Sequence, residues 1–312
     1  MNAHRLSWHE LPDGVRASIE AMLGTRVVTA TSSVGGYSPC LASRADLADG
    51  RTVFLKGVSP AQNPDSPALV RQELAVVARL PSEAPAPCLL HEYDDGEWVV
   101  GVFEHVDGRL PRLPWARDEL AAVLEAATRL GDLRVPDSLR CHVPTSVDHM
   151  ARLFDKWPLV AREPPVGLDP WAATHLDELA ALESGWREAV EGTALVHHDV
   201  RSDNTLIEPS GRVVFVDWPH TCTGAPWIDV VMMLASVALE GGGEPEAVLR
   251  LAGVDADAGA VDVLVAALSG YFVWQGGRPD PPGLPTVRAF QRAQAEVTLR
   301  WLRSRLGDPE PQ

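Results

Sequence analysis

One segment of the chain limits most narrowly what it can fold into. It reads Leu195-Val-His-His-Asp-Val-Arg-Ser-Asp-Asn-Thr-Leu-Ile-Glu-Pro-Ser-Gly-Arg-Val-Val-Phe-Val-Asp217. Asp199 precedes Asn204 by five residues, and Asp217 follows thirteen residues later. The short apolar runs predict brief strands around loops, and the run Val213–Val216 predicts a buried strand that ends at Asp217. Three oxygen-bearing side chains are therefore expected in loops next to buried strands.

These three side chains suit phosphoryl transfer from a magnesium nucleotide. That reaction needs a carboxylate that positions and deprotonates the acceptor hydroxyl, and oxygen ligands for the metal. Asp199 is the candidate base, and Asn204 and Asp217 are the candidate magnesium ligands. A polar loop of turn-forming residues is the plainer alternative. It does not account for the preceding His197 or for the apolar strand before Asp217.

Composition and charge exclude several classes of protein. The 312 residues are 46% hydrophobic and 22% charged, which is typical of a globular protein with one large or two smaller domains. The net charge of −16 argues against a nucleic-acid or anionic-membrane binder. No run approaches the ~18–20 apolar residues that span a bilayer, and the four cysteines form no Cys-x-x-Cys pair. We therefore expect a cytoplasmic protein without a membrane partner, a disulfide or a zinc site.

The two parts of the chain differ in their patterns. After a predicted helix at 11–23, the first hundred residues read as a small, mainly β module with one helix. Its predicted elements are strands at 26–42 and 51–58 joined by a turn at 48–50, a helix at 67–80, and strands at 88–93 and 97–104. From about residue 106 helical patterns dominate. The predicted helices cover 115–130, 147–154, 170–190, 226–239, 258–271 and 286–306.

The Asp199 segment resembles the catalytic segment of the aminoglycoside phosphotransferase family, which shares its fold and ATP chemistry with protein kinases. The family's His-Gly-Asp is similar to His197-His-Asp199, and its metal-binding Asn corresponds to Asn204. The family's later metal-binding Asp corresponds to Asp217. The resemblance thus implies the same roles for these residues as the chemistry suggests.

The chain departs from the family pattern at two positions near these residues. His198 stands where the family has a small residue, and Trp218 follows Asp217 where protein kinases have Phe. The mobile switch of protein kinases is therefore not expected. Asp229 resembles the family aspartate that braces the catalytic segment. Arg201 is open to two interpretations, since it either contacts substrate or lines the loop.

The resemblance extends to the first hundred residues. Lys56, one of only two lysines, lies in the middle of a predicted strand, where the family places the lysine that binds the α- and β-phosphates. Glu73, on the following helix, is its implied ion-pair partner, with Glu83 and Glu97 as rivals. Phosphoryl transfer also needs a fixed cation on the transferred phosphates. Lys56, held by Glu73, would supply it.

Two further segments resemble the family's nucleotide-binding elements. Gly35, Gly36 and Ser38 occupy the position of the loop that covers the nucleotide, where glycine lets backbone amides approach phosphate oxygens. Glu104 and Val106 lie in a segment similar to the linker whose backbone hydrogen-bonds adenine. All five are expected to bind the nucleotide.

The fold class implied by the resemblance is an α+β, protein-kinase-like two-lobed fold. Residues 1–105 would form the nucleotide-binding lobe, an antiparallel sheet with a helix. Residues 106–312 would form the mainly helical catalytic and substrate-binding lobe. The implied cofactors are ATP and Mg²⁺, and the residues leave GTP open as the nucleotide.

The implied activity is transfer of the γ-phosphate to a hydroxyl of an aminoglycoside or related antibiotic. Residues 107–312 carry a net charge of −11, which suits a cationic acceptor, although a soluble acidic surface explains it equally well. The alternatives are a kinase of the same fold for an amino alcohol, sugar, macrolide or peptide antibiotic, and a pseudokinase that only binds. A P-loop kinase is excluded, because no Gly-x4-Gly-Lys-Ser/Thr occurs. The chain is expected to act as a monomer or homodimer without nucleic acid.

Overall fold

A computed structural model describes residues 5–33, 40–281 and 286–308. The strands in this part of the chain are β1 (Val27–Ser32), β2 (Leu41–Leu47), β3 (Thr52–Val58), β4 (Leu89–Asp94), β5 (Val99–Glu104), β6 (Ala194–Val196), β7 (Thr205–Ile207), β8 (Val213–Phe215) and β9 (Cys222–Gly224). The helices are α1 (Asp13–Leu23), α2 (Ser66–Val77), α3 (Arg117–Gly131), α4 (Asp137–Arg140), α5 (Ser146–Met150), α6 (Trp157–Arg162), α7 (Pro170–Thr174), α8 (Leu176–Glu183), α9 (Trp186–Val190), α10 (Ile228–Leu239), α11 (Pro245–Ala252), α12 (Ala258–Gly276) and α13 (Val287–Arg305). Short 3₁₀ turns occur at Trp8–Glu10 and Ser202–Asn204.

The chain divides into two compact units. The first unit contains Met1–Leu110 and Asp203–His220, and the second contains Pro111–Ser202 and Thr221–Gln312. The segment 203–220 belongs to the first unit because its β7–β8 hairpin is bonded there. Arg109 and Ile207 exchange backbone hydrogen bonds of 3.1 and 2.8 Å. The predicted division between residues 105 and 106 stays a prediction.

A five-stranded antiparallel sheet forms the first unit, in the order β1-β2-β3-β5-β4. Its apolar core follows from alternation along the strands, since Leu41, Ala45 and Leu47 of β2 are all buried. α1 covers this core with Ile19 and Leu23, four residues apart and buried. The sheet with the two helices α1 and α2 matches the predicted mainly β module.

Two predicted elements differ from the structure. The strand predicted over 26–42 is two strands, β1 and β2, which pair antiparallel. The helix predicted over 170–190 is three short helices, α7, α8 and α9. The backbone leaves helical angles at His175, where φ is −118°, and Gly185 stands between the second and third helices. Side-chain periodicity continues across such breaks, so the pattern alone does not reveal them.

The second unit is mainly helical, with β6 paired antiparallel to β9. α10 is apolar on nearly every side and lies in the core of the unit. α12 is long and apolar enough to span a bilayer by length and composition, and half of its most apolar window is buried within the protein. A buried core helix has the same properties, so this feature is weak evidence for a membrane span.

Candidate functional site

Lys56 lies in the middle of β3, and its ammonium contacts two carboxylates of the first unit. Its Nζ lies 2.6 Å from Oε2 of Glu73 and 2.7 Å from Oδ1 of Asp217. The Glu73 side chain is 5% exposed, whereas that of Asp217 is 44% exposed. The contacts therefore fix a cation between one buried carboxylate and one that solvent reaches.

Burial and the neighbouring charges shift the pKa values of Lys56 and Glu73. Burial acts against the charge of Lys56, but the carboxylates of Glu73 and Asp217 outweigh it and raise the pKa of Lys56. Burial also raises the pKa of Glu73, while the Lys56 ammonium acts in the opposite direction. Lys56 is therefore charged at neutral pH. It forms ion pairs with two carboxylates, Glu73 and Asp217.

Glu73 reaches Lys56 because α2 packs closely on the sheet. Gly101 of β5 is the cross-strand partner of Lys56. A Cβ at Gly101 would lie within contact distance of the Leu74 side chain on α2 and 2.6 Å from Cε2 of Phe103. The missing side chain thus leaves room for Leu74, and the adjacent Glu73 is held over β3.

Asn204 and Asp217 are fixed by the β7–β8 hairpin. The Val216 amide donates to the carbonyl of Asn204 at 2.9 Å, and Asn204 is buried. Asp217 has a φ of +69°, in the left-handed region that costs a non-glycine residue of order 1–3 kcal/mol. Such strain concentrates at functional positions, and here it aims the carboxylate at Lys56.

Trp218 fixes the chain directly after Asp217. Its indole is fully buried, and its Nε1 donates to the carbonyl of Phe215 at 2.8 Å. Its backbone amide donates to Oε1 of Glu73 at 3.4 Å. The residue after Asp217 is thus packed and bonded in place.

The first unit offers ligands suited to magnesium. Asp217 is an exposed carboxylate that follows β8. Asn204, whose side chain carries an amide oxygen, directly precedes β7 of the same hairpin. Among the described residues no group of three or more His, Cys, Asp or Glu is arranged to hold a metal. Mg²⁺ commonly binds one or two protein oxygens and completes its octahedron with phosphates and water. The donor set therefore fits Mg²⁺ carried by a nucleotide.

In the second unit α10 holds the segment His197–Ser202, called here the Asp199 loop. The backbone amides of His197 and His198 donate to the two carboxylate oxygens of Asp229 at 2.8 and 2.7 Å. Burial raises the pKa of Asp229 to about 6, the two amides oppose this rise, and the charge of Asp199 adds to it. Asp229 thus braces the loop, as the resemblance implied.

Asp199 itself lies among basic and aromatic side chains. Its carboxylate is 27% exposed, and Nη1 of Arg201 lies 3.5 Å from its Oδ1. His198 has a φ of +72°, in the left-handed region that glycine adopts without strain. The His198 ring packs edge-on against His149, with centroids 4.3 Å apart. This contact holds a bulky residue in a strained conformation next to Asp199.

The remaining predicted residues fall into two groups. Gly35, Gly36 and Ser38 lie outside the described residues. Glu104 ends β5, and its side chain lies 3.8 Å from Arg212, while Val106 is buried just beyond. The structure thus brings together Lys56, Glu73 and Asp217 in the first unit, carries Asn204 on the hairpin that leads to Asp217, and places Asp199 in the second unit.

Two contributors to this arrangement were not predicted from the sequence. Gly101 admits α2, and the Trp218 amide bonds Glu73. Trp218 carried a signal, because it directly follows Asp217 in the motif. Gly101 carried none beyond being a glycine inside a predicted strand.

Comparison with known proteins identifies the family of the chain. A family model described as the phosphotransferase enzyme family matches residues 42–264. Comparison with curated proteins finds no match.

Solved structures are similar over nearly the whole chain. Spectinomycin phosphotransferase APH(9)-Ia, in complex with ADP and spectinomycin, is 11% identical with a TM-score of 0.57, covering 97% of this chain and 96% of that one. Choline kinase LicA from Streptococcus pneumoniae is 12% identical with a TM-score of 0.59, covering 93% and 98%. Macrolide 2′-phosphotransferase MphH from Brachybacterium faecium is 14% identical with a TM-score of 0.53, covering 96% and 100%. At these identities the likeness shows the fold, which confirms the predicted kinase-like α+β class.

Proposed function

The chain belongs to the phosphotransferase enzyme family, and we propose that it transfers the γ-phosphate of ATP to a hydroxyl of a small molecule. The observation that carries the proposal is the contact of Lys56 with Glu73 and Asp217. A lysine kept charged between a buried and an exposed carboxylate suits the binding of phosphates beside a metal ligand. A lysine with a purely structural ion pair would not need the strained, exposed Asp217.

The residues of the first unit are assigned to the nucleotide. Lys56 binds the α- and β-phosphates, and Glu73 keeps its ammonium in place. Asn204 and Asp217 hold Mg²⁺, which when bound neutralises charge on the phosphates. The backbone of Glu104 and Val106 is assigned to adenine, and the loop with Gly35, Gly36 and Ser38 to the phosphates.

Asp199 is assigned to the acceptor. Its carboxylate accepts the proton of the acceptor hydroxyl as that oxygen bonds to the γ-phosphorus. The bond from the γ-phosphorus to the β–γ bridging oxygen breaks, and ADP leaves with the electron pair. Asp229 and His198 act on this step only by holding the backbone on which Asp199 is carried.

For the acceptor we propose an aminoglycoside or a related antibiotic, so that the protein confers antibiotic resistance. Support comes from the family, the similar fold of a spectinomycin phosphotransferase and the net charge of −11 over residues 107–312. A second candidate is a metabolite with fewer cationic groups, such as an amino alcohol. Arg201 favours it, because a guanidinium 3.5 Å from Asp199 opposes a polycation at that position.

We further propose that the enzyme acts in the cytoplasm, as a monomer or homodimer. The test of the activity is acceptor-dependent ADP release by the purified protein in the presence of Mg²⁺. The panel should contain aminoglycosides, spectinomycin, macrolides, peptide antibiotics, choline and sugars. The proposal expects release with at least one acceptor and its loss in Asp199→Ala. Release with none, from a protein that still binds ATP, would favour a binding module.

A further inference from the structure

The Asp199 loop is attached to α10 at a second point, beyond Asp229. The Ser202 hydroxyl donates to Oε1 of Glu240 at 2.6 Å. Ser202 is 7% exposed and lies three residues after Asp199. Glu240 directly follows the last residue of α10 and serves as its C-cap.

Glu240 is itself held from another direction. Nε1 of Trp115 donates to its Oε2 at 2.9 Å, and the Trp115 amide donates to its carbonyl at 3.2 Å. The Trp115 indole is buried. The carboxylate therefore has one oxygen on a fixed indole and the other on the loop, and it cannot follow the loop if the loop moves.

One helix thus holds the loop at both ends. Asp229, in the first turn of α10, accepts the amides of His197 and His198. Glu240, at the other end, accepts the hydroxyl of Ser202. An α-helix rises about 1.5 Å per residue and is stiff over this length. Because Asp199 lies between the two attachment points, α10 determines where the segment that carries it can go.

We propose that Glu240 is a positioning residue, which acts through Ser202 to hold Asp199 for its part in phosphoryl transfer. The kinetic part of this inference rests on the proposed function, whereas the attachment of the loop does not. The Ser202–Glu240 bond is charge-assisted and partly buried, which makes it one of the stronger kinds of hydrogen bond. Its loss frees the end of the loop while Asp229 still holds the beginning.

The variants separate the bond from general destabilisation. Ser202→Ala deletes one oxygen, and Glu240→Leu deletes the acceptor. Glu240→Gln can keep both contacts, since its amide accepts from the Trp115 indole and donates to the Ser202 hydroxyl. The matched control is Glu246→Leu in the same unit. Glu246 also accepts a tryptophan Nε1 at 2.9 Å, from Trp301, and it pairs with Arg305 at 2.6 Å, so its loss costs at least as many contacts. Its contacts lie with α13 and not with the Asp199 loop in the described structure.

Two measurements decide the question. The first is amide hydrogen exchange of peptides covering the Asp199 loop, which needs no activity. The second is kcat and KM for MgATP with whichever acceptor is turned over. Loss of a hydrogen bond to a charged group should change each of exchange rate and kcat by about ten-fold or more. The KM for MgATP should stay within about two-fold, as its assigned ligands are elsewhere.

We expect Ser202→Ala and Glu240→Leu to speed loop exchange and lower kcat, Glu240→Gln to restore most of both, and Glu246→Leu to change neither. Unchanged loop exchange in Ser202→Ala would overturn the inference, even if Glu240→Leu failed to fold. Faster exchange with unchanged kcat would also overturn it, because the attachment would then not matter to Asp199. Absence of any turnover in the wild type would refute the proposed function, while exchange would still decide the attachment.

Discussion

Ionisation of the buried Asp229 carboxylate is predicted to lower the free energy of unfolding. It is 4% exposed, and its pKa is raised to about 6 from an ordinary value of 3.8, with burial as the main cause. A group with a raised folded-state pKa stabilises the fold most when it is protonated. That contribution is lost as the pH rises through about 6. Ionised Asp229 therefore weakens the protein that it helps to organise.

The size of the effect follows from the two pKa values. The shift of about two units makes the ionised group cost about 3 kcal/mol of folding free energy at pH 8. At pH 5 the unfolded chain is mostly ionised there and the folded chain is not, and the cost is about 2 kcal/mol. Asp229→Asn removes the charge and this dependence. Its own penalty is one lost amide bond at His197 or His198, about 1–3 kcal/mol at every pH.

The assay is urea unfolding of wild type and Asp229→Asn at pH 5, 6.5 and 8, monitored by tryptophan fluorescence. The difference in free energy of unfolding should move in favour of the variant by about 1 kcal/mol between pH 5 and pH 8. The variant should nevertheless have a lower kcat, because one loop amide loses its acceptor. A difference that stays constant, or moves in favour of the wild type as the pH rises, would refute the argument.

Three other predictions concern the first unit. Lys56→Met keeps the aliphatic stem and removes the charge, so the Kd for ATP measured by calorimetry should rise about ten-fold or more; an unchanged Kd would remove Lys56 from the site. Asp217→Asn should weaken Mg²⁺-dependent ATP binding more than Asn204→Ala, because it removes an anionic ligand from a hard cation; the reverse order in magnesium titrations would exchange their roles. Gly101→Ala should lower the free energy of unfolding by about 1–3 kcal/mol through overpacking. Adding Leu74→Ala should recover part of that loss, and simple additivity of the two changes would contradict the packing argument.

Local sequence patterns predicted the strands and turns that position Lys56 and Asp217. The turn at 48–50 joins β2 to β3 as expected, which places Lys56 in mid-strand. The run 213–216 forms the buried end of a hairpin, which delivers Asp217 as expected. Both depend on residues close together in sequence, where turn chemistry and apolar alternation act directly. The chemical roles of Lys56 and Asp217 stay predictions.

Contacts between distant residues were beyond the sequence patterns. Ser202 and Glu240 are 38 residues apart, and neither has a neighbour that signals their bond. The packing of Leu74 over Gly101 likewise depends on how α2 meets the sheet. The segment 26–42 reads as one strand because Val, Thr and Ser recur along it. Such features follow from tertiary packing, which local propensity does not encode.

His198 was partly predictable from the sequence. Its departure from the small residue of similar proteins was visible in the sequence, but its consequence was not. The structure shows a left-handed backbone, with φ of +72°, and a ring packed on His149. Since a non-glycine residue there is strained, the contact with His149 offsets a cost that glycine would avoid. The sequence thus marked the position, and the structure supplies the reason.

The central claim is that Asp199 takes the proton of a small-molecule hydroxyl while the first unit holds MgATP. The most direct measurement pairs mass spectrometry of the acceptor with calorimetry of MgATP, for wild type and Asp199→Ala. The account predicts that the wild type adds one phosphoryl group to the acceptor. It also predicts that Asp199→Ala lowers turnover by ~10²–10⁴-fold, while its affinity for MgATP is unchanged. Near-wild-type turnover in Asp199→Ala would contradict the account, as would an intact protein that binds MgATP and phosphorylates no acceptor of the panel.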